Sequence, residues 1–404
     1  MAEKRPTILQ IIPELDTGGA ELSTIEIADA ITTAGGRAIV LTEGGRLVQR
    51  LRDTGADVQF FPAAAKSPFR LLWNAHRIAN VIRRDGVDLV HARSRAPAWS
   101  ALIAARRTGV PFVTTYHGAY SEKSDAKRLY NSVMARGDAV IANSHYTSDL
   151  IRMRYGTPRN KVHVIYRGVD GRLFDPVNVA PERVAAVRRR WGIDDKKRVI
   201  LHAARLTPWK GQKVVIEAAA LLAQQHALDD TVFILAGDAQ RRSAYRAALA
   251  AQIHAAGLDE RVRIVGHEDD MAAAFRAAHV AVVASVEPEA FGRAATEAQV
   301  MATPVIATDI GAPPETVRGR PGVSPHRATG WLVPPTDPVR LAEALSEALA
   351  MPPDEHARMG ARAREHVLNA FSLTQMKQQT LQIYDALLGS KLADPNWTGA
   401  SAPS

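Results

Sequence analysis

A chain of 404 residues, 46% hydrophobic and 23% charged, is long enough for two ordinary globular domains, and its lack of cysteine excludes disulfides, thiol chemistry and thiolate metal sites. Its net charge of +9 is uneven: residues 1–172 hold 25 Lys and Arg against 16 Asp and Glu, whereas residues 173–404 hold 26 of each. A basic half suits nucleic acid, an anionic membrane surface or an anionic substrate. No zinc-finger spacing, RNA-binding aromatic signature or dense basic tract accompanies it, so nucleic acid is not expected as a partner. No apolar run reaches 18 residues, and residues 1–6 lead straight into a strand with no room for a signal peptide. A cytoplasmic setting is expected.

Along the first half, short apolar strands alternate with helical periodicity. Strands are predicted at 7–12, 37–42, 58–61, 89–91, 112–116, 139–142 and 162–165, and helices at 20–33, 47–54, 68–85, 96–108, 124–136 and 144–153. This alternation specifies a doubly wound parallel α/β sheet over residues 1–172. Asp-Pro, a second proline and a basic helix ending at Trp191-Gly192 interrupt the rhythm, so 173–197 is predicted as a linker. A second series follows over 198–372, with strands at 199–203, 231–236, 262–265, 280–284, 304–307 and 330–333. Its helices are predicted at 212–225, 241–256, 269–276, 292–301, 312–317 and 338–351. A last amphipathic helix is predicted at 373–388, within a C-terminal segment 373–390, and residues 391–404 are expected to form a disordered tail. Two such sheets in tandem imply a cleft facing their carboxyl ends, where ligands of open α/β sheets bind.

The candidate chemistry sits at those ends. After the first strand, Gly18-Gly19-Ala20-Glu21 opens a helix and lets the backbone approach a ligand closely, although a simple turn needs no more. After the fifth strand comes His117-Gly118, facing the cleft or serving the core. Beyond 199–203, Arg205 and Lys210-Gly211 place two cations in a loop, an arrangement suited to a diphosphate or to plain solvation. Gly266-His267 follows strand 262–265, and Glu268, Asp269 and Asp270 there suit a helix cap. The densest pattern is Glu289-Ala290-Phe291-Gly292-Arg293-Ala294-Ala295-Thr296-Glu297. Two carboxylates eight positions apart bracket a helix start, a ready anion site, with the second Glu about two turns on.

Taken together and in this order, these motifs, with Ala236-Gly237-Asp238, resemble the retaining GT-B glycosyltransferases of family four, over residues 7 to about 388. The resemblance implies a GT-B fold and a nucleoside-diphosphate-sugar donor held by the second domain, with the acceptor on the side of the first. It implies that Arg205 and Lys210 neutralise the diphosphate, Glu297 binds the ribose and Glu289 the sugar. Gly18, Gly19, Gly292 and Arg293 would line the phosphates, Gly266, His267 and Phe291 would flank the donor, and His117 would reach the sugar or acceptor. The final helix resembles one that crosses back onto the N-terminal domain in this fold. No Asp-x-Asp follows a strand of the first domain, so no cofactor and no essential metal are expected. Ala204, Arg293 and Thr303 stand where Gly, an apolar residue and Gly are usual, and none of these removes a charged catalytic group.

The implied activity is transfer of a hexose-type sugar from a UDP- or GDP-sugar to a glycan or lipid-linked acceptor, in lipopolysaccharide or capsule biosynthesis. The alternatives are an inactive sugar-nucleotide-binding scaffold and a GT-B epimerase. Residues 68–85 mix Phe69, Leu71, Leu72, Trp73, Ile78 and Ile82 with Arg70, Arg77, Arg83 and Arg84. With Arg93, Arg95, Arg106, Arg107, Lys123, Lys127 and Arg128, they suggest peripheral contact with an anionic lipid surface on the inner face of the cytoplasmic membrane. The same apolar residues would equally serve as core.

Overall fold

The computed structural model describes residues 5–16, 18–65, 67–120, 122, 124–225, 230–239 and 242–393. Thr17, Lys123, Arg241 and residues 394–404 of the predicted tail lie outside the described residues. The chain forms two compact units: residues up to Gly168 together with those from Leu373 onward, and Val169–Ser372.

The first unit runs β1 (Thr7–Ile11), α1 (Gly19–Thr33), β2 (Arg37–Thr42), α2 (Val48–Arg52), β3 (Asp57–Phe60), α3 (Pro68–Asp85), β4 (Leu89–Ala92) and α4 (Arg95–Thr108). It continues with β5 (Phe112–Tyr116), α5 (Asp125–Asn131) followed by a 3-10 turn, β6 (Ala139–Ala142), α6 (His145–Tyr155) and β7 (Val162–Val164). All seven strands are parallel, in the order β3-β2-β1-β4-β5-β6-β7. Alternate residues feed two cores. Leu9 and Ile11 pack with Ile78 and Ile82 of α3 on one face, while Ile8 packs with Ile27 and Ile31 of α1 on the other. Both faces are therefore covered, as a parallel sheet requires.

The second unit runs α7 (Pro181–Arg190), β8 (Arg198–Ala203), α8 (Gln212–Gln224), β9 (Thr231–Ala236), α9 (Ser243–Ala255), β10 (Val262–Gly266), α10 (Met271–Ala277) and β11 (Val280–Val283). Then come α11 (Arg293–Val300), β12 (Val305–Thr308), α12 (Pro313–Thr316), β13 (Gly319–Arg320), β14 (Gly330–Val333), α13 (Pro338–Ala350) and α14 (Pro353–Ala370). Its seven-stranded sheet has the order β10-β9-β8-β11-β12-β14-β13. The last helix, α15 (Leu373–Leu388), belongs to the first unit, as the resemblance implied. It packs on α1, its Lys377 pairs with Asp29, and its Tyr384 hydroxyl meets His91 Nδ1 at 2.7 Å.

Three expectations need correction. The predicted linker 173–197 is part of the second unit, because α7 buries Val187 and packs on α10. Trp191 is buried as well and donates to Glu268 Oε2 at 3.1 Å, and Arg183 meets Asp270 at 2.7 Å. The 18-residue α14 is not among the predicted helices. Pro353 occupies the first helical turn, where proline is tolerated, and Met359, Gly360, Ala363 and Val367 form a buried stripe. Finally, residues 391–393 are no loose tail: Leu392 is buried in the α1 core and its N–H donates to Asp385 at 2.7 Å.

Candidate active site

In the second sheet, β9 and β10 lie on one side of β8, and β11 begins the other side. The loops leaving β8 and β11 therefore diverge, and the crevice between them is the ligand position of such sheets. Here the two loops are tied together. The Val286 N–H donates to the Trp209 carbonyl at 2.8 Å. Gly211 lies so near β11 that an added Cβ would stand 1.8 Å from the Ala284 carbonyl oxygen, and its φ is +75°. Both space and conformation demand glycine there.

This platform brings Lys210 Nζ to 2.7 Å from Glu289 Oε1, with side-chain exposures of 17% and 9%. The Ser285 hydroxyl donates to the same oxygen, and the ammonium sits 4.2 Å from the centroid of the Trp209 ring. Burial pushes the Glu289 carboxyl up, but the Lys210 charge and the hydrogen bonds from Lys210 and Ser285 outweigh it, so the group ends below the usual carboxylate range. Glu289 is thus an ionised acceptor rather than an acid. Its backbone is fixed as well. The Ala312 N–H donates to its carbonyl at 2.9 Å, and Gly311 approaches closely enough to bridge it. Beneath the pair lies His202 of β8, whose Nδ1 donates to the Val282 carbonyl at 2.9 Å. Burial, with some help from Lys210 and against that hydrogen bond, takes its pKa down to about 4.

Of the other predicted residues, Gly292 caps α11 at φ +85°, and no side chain caps that helix. Arg293 Nε reaches forward one turn to Glu297 Oε1 at 3.1 Å, so the expected phosphate ligand and ribose ligand are partners of each other. Arg205 is exposed, and its carbonyl accepts from Gln212 Nε2 at 2.9 Å. Gly266 ends β10 at φ +78° beside open space. His267 is exposed and meets Asp269 at 3.1 Å. Phe291 departs from expectation: its ring is buried and packs edge-on against Phe371 at 5.8 Å. Of the acidic run, Asp270 caps α10 by accepting from the Ala273 N–H at 3.1 Å.

In the first sheet the corresponding break falls between β1 and β4. Gly18 is the N-cap of α1, and Gly19 opens the helix. Arg93, counted above with the basic surface, is instead buried, with Nε donating to Gln10 Oε1 at 2.8 Å and NH1 to Thr115 Oγ1 at 3.3 Å. His117 follows β5, and the Arg167 guanidinium lies 2.6 Å from its Nδ1. Sequence reasoning missed Ser285, His202 and Arg167. Ser285, four residues before Glu289 and just past a strand, had a local signal; the other two had none.

Two family models match the chain, "Glycosyltransferase Family 4" over residues 17–172 and "Glycosyl transferases group 1" over residues 184–366. The chain is similar to the D-inositol 3-phosphate glycosyltransferase of Salinispora tropica, with 30% identity over 76% of this chain and 66% of that protein's length. The protein of the same name from Streptomyces avermitilis is also 30% identical, over 90% of this chain and 79% of its own length. Among solved structures, a glycosyltransferase from Rickettsia africae is 33% identical, with a TM-score of 0.86, covering 96% of this chain and 100% of that one. HepE from Anabaena, in complex with UDP and glucose, is 26% identical, with a TM-score of 0.81, covering 94% of this chain and 99% of its own. The fold is that of the GT-B glycosyltransferases. Within that class, the chain belongs to glycosyltransferase family 4.

Proposed function

We propose that this glycosyltransferase moves a hexose-type sugar from a UDP- or GDP-sugar to a glycan or lipid-linked acceptor, with retention at the anomeric carbon. The observation that carries the reading is the buried Lys210–Glu289 pair where the second sheet divides. Breaking the sugar–phosphate bond leaves negative charge on the diphosphate and positive charge on the sugar. Lys210, Arg205 and the N-terminus of α11 suit the first, and ionised Glu289 suits the hydroxyls of the second. Glu297 would take the ribose, with Arg293 orienting its carboxylate. A carboxylate held by Lys210 and Ser285 is a poor nucleophile, which favours front-face attack with the leaving phosphate accepting the acceptor's proton over double displacement. The charge stabilisation is proposed to need no metal.

HepE's complex with UDP-glucose supports UDP as the nucleotide. The relatives that glycosylate D-inositol 3-phosphate support a second reading, a phosphorylated polyol as acceptor. A membrane-borne acceptor of the lipopolysaccharide or capsule kind draws support from α3. There Phe69, Leu72 and Trp73 are 86%, 53% and 59% exposed, with Arg77 stacked 4.7 Å over Trp73, while Ile78 and Ile82 are core. Among the described residues, no helix is long and apolar enough to cross a membrane.

The test is nucleotide release from UDP-glucose, UDP-N-acetylglucosamine, UDP-galactose and GDP-mannose in EDTA, with and without inositol phosphate or a lipid-linked glycan. Release from one donor, lost in Lys210→Ala, supports the reading. Absence of both turnover and calorimetric donor binding sinks it.

A further inference from the structure

Arg167 and His117 form a pair whose chemistry is set by elimination. A guanidinium can only donate, so at 2.6 Å the His117 Nδ1 must accept. A neutral ring accepting at Nδ1 carries its proton on Nε2. That nitrogen is buried and has no hydrogen-bond partner among the described residues. A buried donor left unmet at the carboxyl end of a parallel strand is positioned for a ligand oxygen. We infer that Arg167 is a positioning residue, which locks His117 as the neutral Nε2–H tautomer so that it serves the bound sugar or acceptor as a hydrogen-bond donor and never as a proton acceptor. The ligand's identity rests on the function proposed above; the lock does not.

The surroundings agree. The groups facing His117 are Arg167 from the segment after β7, His91 of β4, Arg93 directly after β4, and Tyr120, whose hydroxyl meets the His117 backbone. Burial holds the imidazole well below its ordinary range, and the charges of Arg167 and Arg93 hold it lower still. His91 is itself occupied by Tyr384 and Thr115, at 2.7 Å each, and offers His117 no competing acceptor.

The experiment is nitrogen NMR on the full chain with 15N-labelled histidine rings, with the His117 signals assigned by their loss in His117→Asn. The expected result is one neutral Nε2–H form from about pH 8 to about pH 5. In Arg167→Met the ring should titrate inside that window and mix tautomers, and the acid limb of kcat/KM should move up by about one pH unit. Arg167→Lys, which keeps a cationic donor, should restore the wild-type spectrum and profile in large part. A protonated or Nδ1–H ring in the wild type, or Arg167→Met spectra that match it, would overturn the inference. Should Arg167→Met not fold, the wild-type and Arg167→Lys spectra decide alone. Because the spectra need no turnover, an inactive protein showing the lock would count against the proposed function and not against the lock.

Discussion

The two units share the order of their first five strands, swap the last two, and differ in what they place where the sheet divides. In the second, the polar side chains come from loops and carry opposite charge: Lys210 from the loop after β8, Glu289 and Ser285 from the loop after β11. In the first they come from a strand and the residue directly after it, and find neutral partners. Arg93, the residue after β4, donates to Gln10 of β1 and Thr115 of β5, and His91 of β4 bridges Thr115 to Tyr384 of α15. The same topology thus supplies a position twice. Loop residues there can exchange one ionic partner for another, whereas the residues on and directly after a strand are committed to holding the sheet and its last helix together.

The comparison is broken most severely at Lys210. Lys210→Ala should lower turnover by about a hundred- to a thousand-fold, read as product formed at saturating donor. It should also destabilise the second unit by roughly 3–5 kcal/mol, because Glu289 is left buried and unpaired. A Lys210→Met, Glu289→Gln double variant should recover much of the stability and none of the turnover. Equal melting of the single and double variants would show that the pair is not coupled.

Gly211→Ala should cost about 3 kcal/mol or more by denaturant midpoint, since the new Cβ would meet the Ala284 oxygen; a neutral substitution would mean the two loops are not tied. Part of the acid response should come from His202 of the second unit. His202 falls from an ordinary 6.5 to about 4 on folding, so between those values the unfolded chain holds the extra proton. Its contribution, roughly 3 kcal/mol, is complete above about pH 6.5 and is lost as pH falls toward 4. Depressed Glu289 adds loss in the same direction at lower pH. His202→Asn should reduce the dependence of melting temperature on pH, and an unchanged slope would remove His202 as a contributor.

In the first unit the effects should be smaller. Tyr384→Phe removes one partner of buried His91 and should cost about 1–3 kcal/mol without changing turnover per folded molecule. The smallest change is at the surface. Charge reversal of Arg83 and Arg84 should leave stability nearly unchanged while abolishing sedimentation with anionic vesicles. Binding to neutral and anionic vesicles alike, or to neither, would remove the membrane contact.

Periodicity and punctuation alone determined most of the elements: thirteen of the strands lie within two residues of their predicted positions, because alternating apolar runs bounded by turns report burial locally. They also located Glu289 and Lys210 in loops past strand ends and Glu297 inside the helix that follows. What they could not determine was partnership. That Glu289 is ionised depends on Lys210, 79 residues away, and that Arg93 is core rather than surface depends on Gln10, 83 residues away. Helix α14 is missed until the stripe from Met359 to Val367 finds its packing on α11, and Trp191 reads as linker until Glu268 accepts its N–H. Sequence spacing encodes which face of an element is buried. Charge state, tautomer and the partner of each buried polar group are set by atoms that only the tertiary structure brings within hydrogen-bond distance.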